Sequence, residues 1–262
     1  MEAKKVKSLD KYIDSAYKAE ESLMLRYHKG ISFDGLSKDD FKAISLKEGA
    51  RICKFISYKD ILIYIVDEST LMAGGTFKTL EACFTVAACK KKGYRKVAFS
   101  SGANFGSALT IYGQKAGIQT FFFHPKAASW KLDGNLFESS TAHHISVDKS
   151  EKEVKKAALL FAKMSGIQHV PEVEWRVLST GLRAFLVFEY ILKNKIQFDW
   201  VSQPICAGYG PIGFYNTAQK LIQEDIINKE MVPKFLVIQQ EYLSPMVRAW
   251  KNRHSKILSE DI

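Results

Sequence analysis

The chain has 262 residues, 38 basic against 28 acidic for a formal charge of +10 at pH 7, and is 47% apolar and 25% charged. This is the composition of a folded globular protein able to bury a large core, in one large domain or two moderate ones. No apolar run reaches the ~18 residues of a membrane span, the start Met-Glu-Ala-Lys-Lys has no signal-peptide core, and no stretch interleaves aromatic with basic residues as a base-stacking platform does, so no membrane and no nucleic-acid partner is expected, and a cytoplasmic location is the default.

Residues 1 to about 45 are rich in lysine, with helical periodicity around Leu9 to Leu25 and no visible chemistry. From about residue 50 the pattern alternates. Short apolar runs rich in β-branched or aromatic residues, Ile61–Val66, Lys96–Phe99, Gln119–Phe123, His143–Val147, Val201–Cys206 and Phe235–Gln239, read as buried strands. Between them lie helices with marked ends. Phe105, Ala108, Leu109, Tyr112 and Ala116 share one face and Gly117 closes that helix, while Ser150 with Glu153 forms a capping box ahead of Val154, Ala158 and Phe161. Gly93 and Gly166 stand where two further helices stop. Alternation of this kind predicts a doubly wound α/β protein with a mostly parallel sheet, whose ligands bind beyond the carboxyl ends of the strands.

Three turns lie at such ends. The first follows Ile61–Val66 and runs Gly74-Gly75-Thr76-Phe77-Lys78, with Lys78 opening a helix whose face (Leu80, Phe84, Ala87, Ala88) is apolar. A lone lysine is usually a solvated charge. Burial at a helix start would instead lower its pKa from about 10.4 and free the amine to attack an aldehyde. The second turn, Ser101-Gly102-Ala103-Asn104-Phe105-Gly106, offers backbone N–H groups and a hydroxyl at a helix N-terminus, a site for a carboxylate. Asn104 there either caps the helix or turns its amide to a ligand. The third, Gly208-Tyr209-Gly210-Pro211-Ile212-Gly213, has the Gly-x-Gly-x-x-Gly form of a dinucleotide fingerprint ahead of a helix containing Phe214 to Ile222. Its acidic partner is poorly placed, with Glu241 lying 28 residues (241 − 213) after Gly213, and Pro211 has no N–H to give. A cradle for a single phosphate suits it better. An amine and two anion cradles together point to pyridoxal 5'-phosphate, an aldehyde carrying a phosphate.

Other chemistries find little support. Cys53, Cys83, Cys89 and Cys206 are scattered and read as reduced, mostly core thiols, and His143 and His144 point to opposite faces of one strand, so no metal site is expected. The phenylalanines at 121 to 123 read as core.

Taken in order, the three turns resemble the tryptophan-synthase-β-like (fold-type II) pyridoxal-phosphate enzymes, closest to threonine synthase and cysteate synthase. Lys47-Glu48-Gly49, Ile63–Glu68 and Thr76-Phe77-Lys78 are similar to the entry segment of that family, and Ser101–Gly106 to its asparagine loop. Gln203–Gly213 is similar to its glycine loop, and Pro233–Gln239 and Pro245–Trp250 to the segment that follows. The resemblance implies that Lys78 carries the cofactor and is the catalytic base. It implies that Asn104, Gly208, Tyr209, Gly210, Ile212 and Gly213 also bind the cofactor, and that Thr76, Ser101, Gly102, Ala103, Phe105 and Gly106 hold the substrate.

It further implies two α/β lobes, residues 86–178 forming the smaller and 1–85 with 179–262 the larger, with the cofactor cleft between them. The implied reaction is β- or γ-elimination or replacement on a small anionic amino acid, a phosphorylated one such as phosphoserine or phosphohomoserine being favoured. Thr79-Leu80-Glu81 departs from the Asp-Arg that usually follows the lysine of threonine synthases. The family also continues well past the equivalent of Ile262, where it supplies a serine or threonine to the pyridine nitrogen. The C-terminal part is thus expected to be missing and the site to be completed by a partner chain, a homo-oligomer being the other expectation. A non-catalytic homologue acting as a binding subunit and a dinucleotide enzyme using Gly208–Gly213 stay open as alternatives.

Overall fold

A computed structural model describes residues 8–31, 33–134, 139–241 and 244–257; the expectations attached to Met1–Lys5 and Ile262 lie outside them. The N-terminal region is less helical than its periodicity suggests. A 3-10 turn at Leu9–Tyr12 and a single α-turn, α1 (Leu23–Arg26), are each started by a serine whose hydroxyl accepts a backbone N–H, and the chain between them loops back so that Asp14 N donates to Arg26 O at 2.7 Å. A short α2 (Lys38–Lys42) follows, with a Ser37/Asp40 capping box.

Among the described residues eight strands and six further helices follow: β1 (Arg51–Tyr58), β2 (Ile61–Asp67), α3 (Lys78–Lys91), β3 (Lys96–Ser100), α4 (Asn104–Ala116), β4 (Gln119–Pro125), β5 (Ala142–Val147), α5 (Glu151–Ser165), β6 (Gln168–His169), α6 (Val173–Asn194), β7 (Trp200–Pro204), α7 (Tyr209–Gln223), β8 (Lys234–Ile238) and α8 (Pro245–Lys251). All six expected strands form, and β1 and the short β6 join them. The strands fall into three sheets: a parallel one in the order β5-β4-β3-β6, a parallel pair β7-β8, and an antiparallel pair β1-β2. The last is the antiparallel part of an otherwise parallel arrangement. The two-residue turn at Lys59-Asp60 folds β2 back on β1, with Lys59 at φ 51°.

The four-stranded sheet is covered on both faces because its side chains alternate. Phe99 and Phe122, stacked at 5.3 Å, face the main core with α3 and α4, whereas Phe121 and Phe123 pack with Val154, Ala158 and Phe161 of α5. α4 comes so close to β4 that a Cβ on Gly106 would sit 2.0 Å from the Phe122 ring. His143 stacks on Phe121 and His144 on His124, on opposite faces as the sequence predicts. The capping box of Ser150 with Glu153 is present, and Gly117 and Gly166 end α4 and α5 in the left-handed conformation.

The two-stranded sheets differ. Ile61, Leu62, Ile63 and Ile65 of β2 and Leu236, Val237 and Ile238 of β8 are all exposed, and His143–Val147 of β5 are half-buried or exposed, so the expectation of buried strands fails at β2, β7 and β8 and at the edge strand β5. Among the described residues no layer packs over the exposed β2 and β8 side chains. A groove of about 1020 Å³ separates β2 from β7, lined by Ile61–Val66 and Phe198–Gln203 together with Arg183.

α6 joins the regions. Its Trp175, Leu182, Phe185 and Phe188 enter the main core, and it packs on α7 through a glycine pair: a Cβ on Gly213 would lie 2.4 Å from Val177 O, and one on Gly181 3.0 Å from Gly213 O. No described helix is long and apolar enough to cross a membrane. Cys83 and Cys89 are buried, Cys53 is half-buried and Cys206, between β7 and α7, is exposed.

Candidate active site

The lysine turn is anchored from below. Gly49 N donates to Leu71 O and Ala73 N to Lys47 O, both at 2.7 Å, so residues 71–73 run against Lys47–Gly49. Glu48, fully buried between them, accepts from the hydroxyls of Ser22, Ser45 and Tyr112 and from Leu46 N. Above this floor Gly74 N donates to Thr79 Oγ1, and Lys78 N to Thr76 Oγ1 at 3.4 Å. Lys78 is the first residue of α3.

Its side chain is 23% exposed, and Nζ donates to Glu81 Oε1 at 2.5 Å and lies 4.5 Å over the Phe77 ring. Burial pushes the Lys78 amine below its ordinary pKa and Arg176 adds to that effect, while Glu81 and Cys206 pull the other way. The net direction is the one a nucleophilic amine needs.

The Ser101 turn differs in detail from its sequence reading. Asn104 does not cap α4: it is the first helical residue, exposed, and Ala103 takes the N-cap position without a side-chain cap. Ser101 Oγ instead accepts from Ala103 N at 3.3 Å and Gly106 N at 3.2 Å. The serine thus supplies internally an acceptor that the sequence reading reserved for a ligand. The N–H groups of Asn104 and Phe105 have no intrahelical partner by position. Phe105 is buried, and Gly102 lies against α5, a Cβ there being 2.7 Å from Glu151 Oε1. A small cavity of about 400 Å³ between Ser101, Gly102, Glu151 and Lys155 opens on that side.

The glycine turn is shorter than expected, because α7 starts at Tyr209 rather than near Phe214. Gly208, at φ 80°, is its N-cap and has no side-chain cap. Ile212 N already donates to Gly208 O at 3.1 Å, so Ile212 and Gly213 belong to the helix and the outward N–H groups are those of Gly208, Tyr209 and Gly210. Gly210 and Gly213 have packing reasons to be glycine: a Cβ on Gly210 would meet the Gln203 side chain at 2.1 Å, and Gly213 meets α6. That close packing accounts for two of the three fingerprint glycines without a dinucleotide.

What ties the turns together is a residue the sequence reading passed over. Arg176, on α6, donates from Nε to Glu81 Oε2 at 2.7 Å, and its guanidinium carbon lies 5.0 Å from the Phe105 ring and 4.4 Å from the Tyr209 ring. One side chain therefore touches the asparagine loop, the glycine loop and the partner of Lys78. One helix turn further along the same face Thr180 Oγ1 donates to Tyr209 O at 3.0 Å. Beyond it Arg183 stands 5.1 Å from the Phe77 ring and 2.8 Å from Glu68 Oε1, out of line for a hydrogen bond. The signal was available: 176, 180 and 183 fall at i, i+4 and i+7, a polar stripe on one face of a helix whose middle is mostly apolar. Glu81 is likewise a charge on a buried helix.

The residues fit a phosphate-bearing aldehyde. An amine with a lowered pKa stands at one helix start, and across Arg176 an uncapped N-terminus of a 15-residue helix presents outward N–H groups to an anion.

Comparison with known proteins agrees. The family described as pyridoxal-phosphate dependent enzyme matches residues 51–261. The chain is similar to a cysteate synthase of Methanospirillum hungatei, 23% identical over 202 residues that make up 76% of this chain and 46% of the relative. It spans about half the length of the curated relatives it matches. Its fold is similar to holo diaminopropionate ammonia lyase from Escherichia coli, with a TM-score of 0.65 and 14% identity over 86% of this chain and 66% of that one. It is also similar to maize serine racemase, with a TM-score of 0.56 and 16% identity over 71% and 54%.

Proposed function

This chain belongs to the pyridoxal-phosphate dependent enzyme family, and from that premise we propose that it acts on a small anionic amino acid, eliminating or replacing a group at the β or γ carbon. The observation that carries the reading is the half-buried Lys78 amine at the start of α3, joined through Glu81 and Arg176 to the other two turns. Pyridoxal 5'-phosphate is the family's cofactor, and when bound it supplies an electron sink for the substrate's α-carbon.

Lys78 Nζ would hold its aldehyde carbon, and the N–H groups of Gly208, Tyr209 and Gly210 its phosphate. Ile212 and Gly213 support that loop from within α7, and the exposed Asn104 amide at the start of α4 would face the ring. Thr76, Ser101, Gly102, Ala103, Phe105 and Gly106 form the wall for the substrate carboxylate, with the Asn104 and Phe105 N–H groups as its donors. The neutral Lys78 amine is then the base that takes the proton from the substrate α-carbon. A phosphorylated substrate suits the excess of positive charge.

In this reading residues 86–178 form a smaller lobe and residues 1–85 with 179–262 a larger one, in keeping with the separate sheets. A further polypeptide, from a partner or another copy, closes the groove between β2 and β7. Its exposed apolar strands support that placement.

The test is direct. Protein mixed with pyridoxal phosphate should gain a visible absorption band, borohydride should fix the cofactor on the peptide containing Lys78, and phosphoserine or phosphohomoserine should release phosphate. Fixation on another lysine rejects the assignment of Lys78. Fixation on Lys78 without phosphate release, with or without a co-purifying protein, rejects the substrate class and leaves the cofactor site standing.

A further inference from the structure

Glu81 is fully buried in α3, yet it faces two cations, with Lys78 Nζ at 2.5 Å from one oxygen and Arg176 Nε at 2.7 Å from the other. Each oxygen takes one donor, so the two cations fit together, but they divide a single negative charge. A buried carboxylate left without a partner is costly, and removing one member of a buried pair strands the other. Here that penalty does not fall on Lys78. The guanidinium of Arg176 never deprotonates and stays on Glu81, so the lysine can leave the carboxylate without stranding it. Arg176 is itself held in place by stacking on Phe105 and Tyr209.

We propose that Glu81 and Arg176 are a pair of positioning residues for Lys78, the carboxylate parking its ammonium at the start of α3 and the guanidinium making that ion pair breakable. The pair acts on the amine in opposite senses. Glu81 favours the ammonium, whereas Arg176 shares the carboxylate and repels the ammonium, so the two residues together set how much neutral amine exists at a given pH. The other groups facing Lys78 are fewer: the Phe77 ring below it, Cys206 in the loop before α7, and, across Phe77, the Glu68–Arg183 pair. Neither Glu68 nor Arg183 touches Nζ.

The inference rests on the reading of Lys78 as the cofactor lysine, so the experiment measures the amine apart from the cofactor. Cofactor-free protein is acylated with trace acetic anhydride across pH 6 to 11, and the modified Lys78 peptide is quantified by mass spectrometry. Glu81→Gln should move the midpoint of Lys78 reactivity down and Arg176→Gln should move it up. The expected size is on the order of one pH unit, about tenfold in reactivity below the midpoint. Arg176→Lys, which restores a cation opposite Glu81, should return the midpoint toward wild type, and the double variant should fall between the single ones.

Shifts in the same direction, or none in either variant, overturn the proposal, because loosened packing alone has no reason to give opposite signs. Should Glu81→Gln fail to fold by circular dichroism, Glu81→Asp, whose shorter arm withdraws the carboxylate, is to give the same downward shift, and its absence is equally decisive. Borohydride fixation of pyridoxal phosphate is followed in parallel. Opposed shifts without fixation on Lys78 support the ion triad and reject the cofactor reading, while fixation without shifts rejects the triad alone.

Discussion

The sheet β5-β4-β3-β6 and the two ribbons β1-β2 and β7-β8 are built from similar strand sequences, yet one is sealed on both faces and the others lie open. In the sealed sheet Phe122 is 0% exposed, between β3 and a glycine of α4; in the ribbons Leu236 is 52% exposed. The strand residues do not make the difference, since the exposed Ile61–Asp67 is more apolar than the buried Gln119–Pro125. What differs is the cover: α4 and α5 lie on the sheet, while α6 and α7 pack mainly against each other through Gly181 and Gly213. The candidate site lies along the seam, with the Ser101 turn leaving the sealed sheet and the Lys78 and Gly208 turns leaving the open ribbons.

The largest effect should come at the seam. Lys78→Ala is expected to abolish borohydride fixation of the cofactor and to lower any turnover by several orders of magnitude, with little change in the melting of either region. Should turnover survive, the seam is not the site and the comparison loses its functional meaning.

Within the sealed region, Phe122→Ala should cost about 3–5 kcal/mol, as expected for a fully buried ring beside a glycine, read from urea midpoints. A cost below about 1 kcal/mol would mean that the sheet is as loose as the ribbons.

The helix common to both regions gives the next effect. Burial pushes the Glu189 carboxyl up, but hydrogen bonds from Arg26, Lys193 and Tyr27 outweigh it and hold the pKa at about 2. A carboxyl whose pKa is lowered on folding stabilises in full above its unfolded value of about 4.3, and that contribution is lost as pH falls toward 2. Glu189→Gln should therefore cost ~2–3 kcal/mol at pH 7, and the gap to wild type should shrink between about pH 4.5 and 2. A gap that stays constant with pH would show that the ion pair contributes nothing through titration.

The smallest effect is expected in the open region. Leu236→Ser should change stability by no more than about 0.5 kcal/mol, while reducing binding of an apolar dye to the exposed ribbons. A large loss of stability there would mean that the ribbon is covered in solution, and would move the boundary between the regions.

The local signals proved readable from the residues. Ser150 with Glu153 starts α5 through side-chain hydrogen bonds, and Gly117 and Gly166 close α4 and α5 in the left-handed backbone that glycine adopts freely, because caps are decided within a few residues. The six strands were readable for the same reason. Their partners were not: β1, with Arg51, Lys54 and Ser57 scattered through it, shows no strand period, and its pairing with β2 depends on a two-residue turn. The start of α7 was hidden because glycine and proline, which usually break helices, here occupy its first turn, where the N–H groups need no partner. Arg176 was missed because its importance lies in three contacts made by residues 95, 71 and 33 positions away in the chain (176 − 81, 176 − 105 and 209 − 176).

Cys206 follows β7 and precedes the Gly208 N-cap, and its thiol is exposed while Cys83 and Cys89 are sealed in α3. A bulky maleimide should thus reach Cys206, beside the Gly208 turn, well before those two thiols, without any engineered cysteine. The chain carries its own attachment point for a fluorophore, placed where occupancy of the loop would alter the dye's surroundings, so that ligand binding can be followed optically in protein that has never turned over.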